Sequence, residues 1–322
     1  MPSPTLNMAH VDRPLTNMSI AYMQSATGFV FNRVFPLVYV EKESDKYYVF
    51  DIETFLRGRA RRRADGTESA GGGYKLSTDS YSLGDPFAFH KDVTKRERDN
   101  ADKPLDPDRN ATDFVTQNIL ITAEEEWVGN FFKPGVWDGQ KIGGDTTPFW
   151  NDYASSNPIT AVADARLWIW KNTGRKPNKF TVDPTTDEVL KNHPLILDRT
   201  EGQVIDANVL AKLFEVDEYL VAGGVHRTGA EGVGTGDFIA GKHALLSYAA
   251  PNPAKEMPSC GYTFAKTGSG VEGVDKGVRI ARIPMDVLGI GTQRIEGELF
   301  INAKVTGQPL GFFFADIVEQ VA

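Results

Sequence analysis

The chain has 322 residues, 41% of them hydrophobic and 11% aromatic, enough apolar material for a sizeable core, which excludes wholesale disorder. A formal net charge of -8 argues against a dedicated nucleic-acid binder, whose domain carries a basic field. The single cysteine, Cys260, excludes an internal disulfide, and no run has the length of a signal core or a membrane span, so folding in the cytoplasm is expected.

Residues 1–38, with prolines at Pro2, Pro4, Pro14 and Pro36 and no sustained helical stripe, read as an extended segment. KYYVFDIETF follows as a strand with Tyr48, Phe50 and Ile52 on one face. Its return strand is expected over 74–89, where Tyr81 and Leu83 alternate with Ser80 and Ser82. The two strands make a long hairpin, and its tip is basic: Arg57, Arg59, Arg61, Arg62 and Arg63, then Gly71 to Gly73. A two-stranded hairpin is marginal in water without a further surface to cover it.

A polar passage leads into the strongest helical pattern, with Asn110 as N-cap, Asp113 in the first turn and an end near Phe132. Leu120, Ala123, Trp127 and Phe131 form its apolar stripe, and Pro134 with Gly135 stops it. A more compact region begins near Trp150. Asn157-Pro158 opens a helix that stops at Gly174, KFTVD reads as a short buried strand, and Pro184 opens a helix closed by Pro194. Asp206 caps a third helix leading into the strand EYLVAGG, so helix and strand alternate as in an α/β layer. From Gly277 onward the pattern is strand: GVRIARIPM, TQRIEGELFINAKV and PLGFFFADIV.

Each chemistry-bearing motif in the chain lacks part of what its chemistry requires. Gly268, Gly270 and Gly273 match G-x-G-x-x-G, but a strand pattern follows where a phosphate site needs a helix N-terminus. Asp106, Asp108 and Asn110 begin like a calcium loop, yet Ala111 and Gln117 stand where its glycine and closing glutamate belong. The five histidines show no zinc spacing, and His193 before Pro194 reads as a helix-end residue. Cys260 has no nucleophile context, and no carboxylate pair can be assigned acid and base roles, so no catalytic, cofactor or metal residue is expected and the chain is not read as an enzyme. The arginine run admits three readings: a solvated loop, a contact to phosphates, or a contact to acidic surface on another subunit.

Two passages carry a resemblance. NPITAVADARLWIWKNTGRKPNKFTVDPTTDEVLKNHP (157–194) and VLAKLFEVDEYLVAGGV (209–225) share the order helix, T-G-x-x-P-N turn, strand, helix ending on His-Pro, then a helix entering a strand. Here the turn is Thr173 to Asn178 and the pair is His193-Pro194. This resembles the central domain of tailed-bacteriophage major capsid proteins, the Hong Kong 97 fold, which encapsulins share. In architecture it covers almost the whole chain; residue by residue it is specific for 157–225.

The resemblance implies an α+β subunit without enzymatic activity or cofactor. Its parts would be an N-terminal arm (1–38), an extended β-hairpin loop (39–92), a peripheral domain with a spine helix (93–150 and 276–306) and an axial α/β domain (151–275 and 307–322). It implies self-assembly into pentamers and hexamers of an icosahedral head shell in the virion, put together in the host bacterial cytoplasm around double-stranded DNA held only as non-specific cargo. A separate scaffolding protein, a portal and a decoration protein are the further partners, and no membrane is involved. Unlike some family members, the chain shows no charged scaffolding segment after Met1, and nothing positions a lysine and an asparagine for cross-linking. Within this reading the expected inter-subunit contact joins Arg57, Arg59, Arg61, Arg62 and Arg63 to Glu124, Glu125 and Glu126 of a neighbour. The alternatives are an encapsulin compartment shell and, from another class, a DNA-binding accessory protein using the arginine run.

Overall fold

The computed structural model describes residues 10–11, 28–50, 52–101, 106–201, 203–229, 236–253, 257–267 and 276–319. Most of the stretch expected to be extended, 1–9 and 12–27, lies outside these, as do Gly268, Gly270 and Gly273. β1 (His10–Val11) is followed by a helical turn, Phe31–Val34, and β2 (Leu37–Val40). The reading of 1–38 as extended is corrected over its last residues, where a helical turn packs into the protein's own core. Val30, Phe31, Val34 and Phe35 are buried in the main core, because their spacing lets one helical turn put four large apolar groups against the same surface.

β3 (Ser44–Phe50) and β4 (Leu76–Ser82) form the expected antiparallel ribbon, with Ser44 opposite Ser82 and Phe50 opposite Leu76. Ile52 does not continue the strand face; it starts a helical turn, Ile52–Phe55. The return segment is not one strand either. Gly84, at φ +56°, turns the chain, and β5 (Phe87–Val93) joins a different sheet. A short helix, Lys95–Asp99, follows with a reciprocal cap: Thr94 Oγ1 accepts from Glu97 N at 3.1 Å and Glu97 Oε2 accepts from Thr94 N at 2.8 Å.

The long helix runs over Pro107–Phe131, 25 residues, about 37 Å at ~1.5 Å per residue. Its cap is Asp106 rather than Asn110: Asp106 Oδ1 accepts from the N–H groups of Asp108 and Arg109, and Pro107 takes the first helical position, where no N–H is needed. β6 (Gly139–Ile142) precedes the helix Pro158–Thr173, capped by Asn157 and closed by Gly174 at φ +70°, as its sequence predicts. Next come β7 (Lys179–Val182), the helix Pro184–Lys191 capped by Asp183, and a further helix, Pro194–Arg199. Pro194 therefore opens a helix as well as ending one, and His193 is its N-cap. The Asp206-capped helix Ala207–Phe214 leads into β8 (Glu218–Val221). A ribbon of β9 (Val225–Arg227) and β10 (Gly236–Phe238) precedes β11 (Ala244–Ser247), β12 (Gly261–Lys266), β13 (Val278–Pro284), β14 (Gln293–Leu299), β15 (Ile301–Val305) and β16 (Gly311–Ala315).

The five-stranded sheet, in the order β6-β16-β11-β7-β8, separates two cores. Successive side chains of a strand point to opposite faces, so Leu245 and Phe313 enter the core of the long helix. Leu246, Phe312 and Phe314 enter the core built with the helices Pro158–Thr173 and Ala207–Phe214. Burial on both faces is why GFFFA is apolar throughout rather than alternating. The long helix lies on a second sheet, β1-β13-β14-β5. Gly297 of β14 permits that approach: a Cβ there would stand 2.6 Å from Val115 Cγ1 and 2.8 Å from Ile119 Cδ1. The third sheet, β15-β12-β2, carries the ribbon on a small core of its own, including Val38, Val40, Tyr81, Leu83, Tyr262 and Phe264.

Candidate assembly surface

The β3–β4 ribbon is finished at its base and unfinished beyond it. At the base Tyr81 stacks on Phe264 with ring centroids 4.5 Å apart, and its hydroxyl donates to Lys42 O. Tyr47 Oη donates to Asp79 Oδ2 at 2.6 Å, which lowers the Asp79 carboxyl pKa and, together with burial, raises that of the Tyr47 phenol. Lys266, almost wholly buried, donates from Nζ to Glu43 Oε1 at 2.6 Å, tying the loop between β2 and β3 to β12. Beyond these anchors large apolar groups face solvent: Tyr48 at 63%, Phe55 at 61%, Tyr74 at 62%, Leu56 at 52%. Phe55 and Tyr74 touch each other at 5.7 Å between centroids. Between ribbon and body lies a cavity of about 670 Å³ lined mainly by Tyr47, Phe55, Leu56, Tyr74, Met257 and Leu310. Contiguous apolar exposure of this kind marks an interaction surface.

Arg57, Arg59, Arg61, Arg62 and Arg63 are all exposed at the tip, with Arg59 reaching back to Gly73 O at 3.4 Å. The three glutamates expected as their partners have separate environments. Glu124 is 1% exposed and accepts from the N–H groups of Val30 and Phe31, so it cannot meet a neighbour's arginine; that part of the expected contact is corrected. Glu125 is half-buried and lies 2.7 Å from His226 Nδ1, while Glu126 is exposed. A second exposed group went unread in the sequence: Val287, Leu288 and Ile290, at 76%, 55% and 89% exposure, on the turn between β13 and β14. The signal was present as an aliphatic cluster inside a glycine-rich turn. Arg98 fixes that turn by donating to Gly291 O at 3.0 Å.

One pair resembles a hydrolytic dyad: Ser156 Oγ lies 3.1 Å from His193 Nε2, both side chains being buried. The wider geometry makes it structural. His193 Nδ1 accepts from Leu195 N, which leaves the proton on Nε2, and the Ser156 hydroxyl donates to Asp152 O at 2.7 Å. The imidazole is thus a donor to the serine and not its base. Burial lowers the His193 pKa, keeping the ring neutral, and pushes the Cys260 thiol up to about 12, where it is inert. Among the described residues no group of His, Cys, Asp and Glu could hold a metal, and no helix is long and apolar enough to cross a membrane.

No protein-family model matches the chain. A curated relative, the major capsid protein of Burkholderia phage BcepMu, is 25% identical over 279 residues, 81% of this chain and 85% of the relative. A phage-related protein from Bordetella bronchiseptica RB50 superposes with a TM-score of 0.70 at 20% identity, covering 96% of this chain and 98% of its own. The capsid of cyanophage P-SCSP1u matches at 0.56 and 11% identity over 88% and 86%, and the SrpI encapsulin of Synechococcus elongatus PCC 7942 at 0.55 and 11% over 93% and 91%. The mixed helix and strand fold expected from the sequence is the one found. The likeness to these solved structures shows the fold: the chain has the Hong Kong 97 fold.

Proposed function

We propose that this subunit builds the icosahedral head of a tailed bacteriophage, enclosing double-stranded DNA, by associating as pentamers and hexamers in the host cytoplasm. The single observation that carries the assembly role is the ribbon: covered at its base, yet exposing Tyr48, Phe55, Leu56 and Tyr74 beside an arginine-rich tip. A closed shell of fivefold and sixfold rings repeats heterologous contacts, in which one patch meets a different patch on the next copy. In this reading 1–38 is the arm, 39–92 the extended loop, 93–150 with 276–306 the peripheral domain and 151–275 with 307–322 the axial domain. Scaffolding, portal and decoration proteins are separate chains. The curated phage relative favours a viral head over an encapsulin compartment, whose shell shares the fold.

The arginine tip pairs with acidic surface on the adjoining copy, with Glu126 and the outer edge of Glu125 as its partners. Exposed arginines on a chain of net charge -8 support this, since an acidic body attracts a basic loop. The test is expression of wild type and of Arg61→Glu/Arg62→Glu/Arg63→Glu, with electron microscopy of the particles and their contents. Closed shells from wild type, and fewer or less heat-resistant shells from the reversal, are expected. Unaltered yield and heat resistance in the triple variant would remove the tip from the contact. Steeply salt-dependent DNA binding by unassembled wild type would favour the DNA-binding reading.

A further inference from the structure

The turn between β13 and β14 holds Val287, Leu288 and Ile290 out into solvent, and its shape is fixed. Met285 N donates to Thr292 O at 2.9 Å, Gly291 N to Asp286 Oδ1 at 3.2 Å, and Arg98 to Gly291 O at 3.0 Å. Gly289 and Gly291, at φ +136° and +78°, supply the backbone that this turn needs. Three aliphatic groups on a braced turn form a ready-made knob with little conformational freedom to lose on docking. Arg98 also donates from Nε to Asp108 Oδ1 at 2.9 Å, so the knob sits beside the first turn of the long helix. The cavity between ribbon and body lies at the other end. Leu310 is on its floor, and the adjoining Gly311 lies against the Trp137 ring, whose N–H donates to Phe131 O in the helix's last turn. The helix between them is about 37 Å long at ~1.5 Å per residue, so no copy can seat its own turn in its own cavity.

We infer that the Val287–Ile290 turn of one copy seats in the cavity between the ribbon and the body of the next, completing an apolar site that neither copy closes alone. The two match in size. At ~30 Å³ per water, 670 Å³ has room for about 20 waters, enough for three aliphatic side chains. They also match in charge. Among the described residues lining the cavity Lys46 and Arg175 are charged and none is acidic, while Asp286 is the one charge between Pro284 and Thr292. Asp286 Oδ1 accepts from Gly291 N, which leaves Oδ2 for a cation of the neighbour. Phe55, Leu56 and Tyr74 wall the cavity and also form the exposed ribbon surface, so the seated turn and the ribbon contact are one continuous interface. This contact, which presupposes the shell proposed above, is heterologous: knob and cavity lie at opposite ends of one helix, so it repeats from copy to copy, as a ring requires.

The experiment is thiol chemistry on the full chain, unassembled and in shells, with Met257→Cys in the cavity wall, Ile290→Cys on the turn, and the double variant. Cys260 stays, because burial pushes its thiol up to about 12. On assembly the maleimide labelling rate of each single variant should fall about 10-fold or more, since seated groups lose contact with water. A short bismaleimide should link the double variant in shells into a ladder of covalent oligomers and leave both single variants unlinked. Undiminished labelling at either position overturns the seating, as does protection without a ladder. A ladder from Ile290→Cys alone overturns it too, because the turns of different copies would then meet each other. Any of these results in closed shells leaves the shell reading standing, whereas wild type that never assembles removes both. Should the variants fail to assemble, hydroxyl-radical footprinting of wild type decides. Joint protection of Ile290, Met257 and Tyr74 in shells upholds the contact, and Ile290 or Met257 oxidised as in the free chain sinks it.

Discussion

Replacing Phe55 and Tyr74 together by serine asks whether the outer ribbon is an interface or merely a greasy loop. The two rings are 61% and 62% exposed, so of ~200 Å² per aromatic side chain about 120 Å² each still faces water. At ~25 cal/mol per Å² a neighbour that covered both completely would gain about 6 kcal/mol per subunit, and half that coverage would gain about 3. A loss of ~3 kcal/mol raises the concentration needed for assembly about 100-fold. Inside the protomer the change removes the mutual contact at 5.7 Å and loosens the ribbon tip, leaving all three cores intact. Sedimentation across a concentration series reads the first quantity, and thermal unfolding of the unassembled fraction reads the second. Assembly at the wild-type concentration would refute the argument, because the exposed rings would then have no neighbour to cover them.

Two further substitutions probe the body. Gly297→Ala should lower stability by about 1–3 kcal/mol, since its Cβ would stand 2.6 Å from Val115 Cγ1 with the long helix unable to withdraw; an unchanged melting temperature would show that the helix gives way. Asp92 receives two N–H bonds from Arg294, at 2.8 and 3.1 Å, which hold its carboxyl below the ordinary value of 3.8. A depressed carboxyl contributes stability above its unfolded pKa and loses it as pH falls through the folded one. Arg294→Met should therefore weaken the protein at neutral pH and flatten the acid limb below about pH 4, and parallel acid-unfolding curves for both proteins would contradict this.

Helix starts were legible because their signals are local. Asn157-Pro158, Asp183-Pro184 and Asp206 cap helices where the sequence puts them. The same Asp-Pro signature at Asp106-Pro107 marks the long helix, four residues before the expected cap, and His193-Pro194 is a further cap-proline pair read only as an end. Partition of strands among sheets was not legible, since it depends on partners distant in sequence. TQRIEGELFINAKV looks continuous, yet at Phe300, whose N–H donates to Gly277 O, the chain passes from one sheet into another. Ala244 to Ser247, four residues buried on both faces, carries no alternation to detect. The glutamate triplet was misread for a geometric reason that periodicity could have supplied. Consecutive helical residues lie about 100° apart, so three in a row cannot share a face. Glu124 stands four after Leu120 and three before Trp127, which places it on the buried stripe.

The ribbon's two halves answer different demands. A subunit that fits ringed positions of unlike geometry, as proposed, must adjust somewhere, and the adjusting part must be one whose movement breaks no core contact. Tyr81 and Leu83 do not qualify: both are buried against Phe264 and its neighbours, and shifting them would open that small core. The stretch from Leu56 to Tyr74 does qualify, being exposed throughout and outside all three cores. Register is thus fixed where the side chains are covered and relaxed where they wait for a neighbour, and the arginines sit at the end with the greatest reach. Charge suits that position better than apolar area does, because Coulomb attraction tolerates a displaced partner over several ångströms while close packing does not.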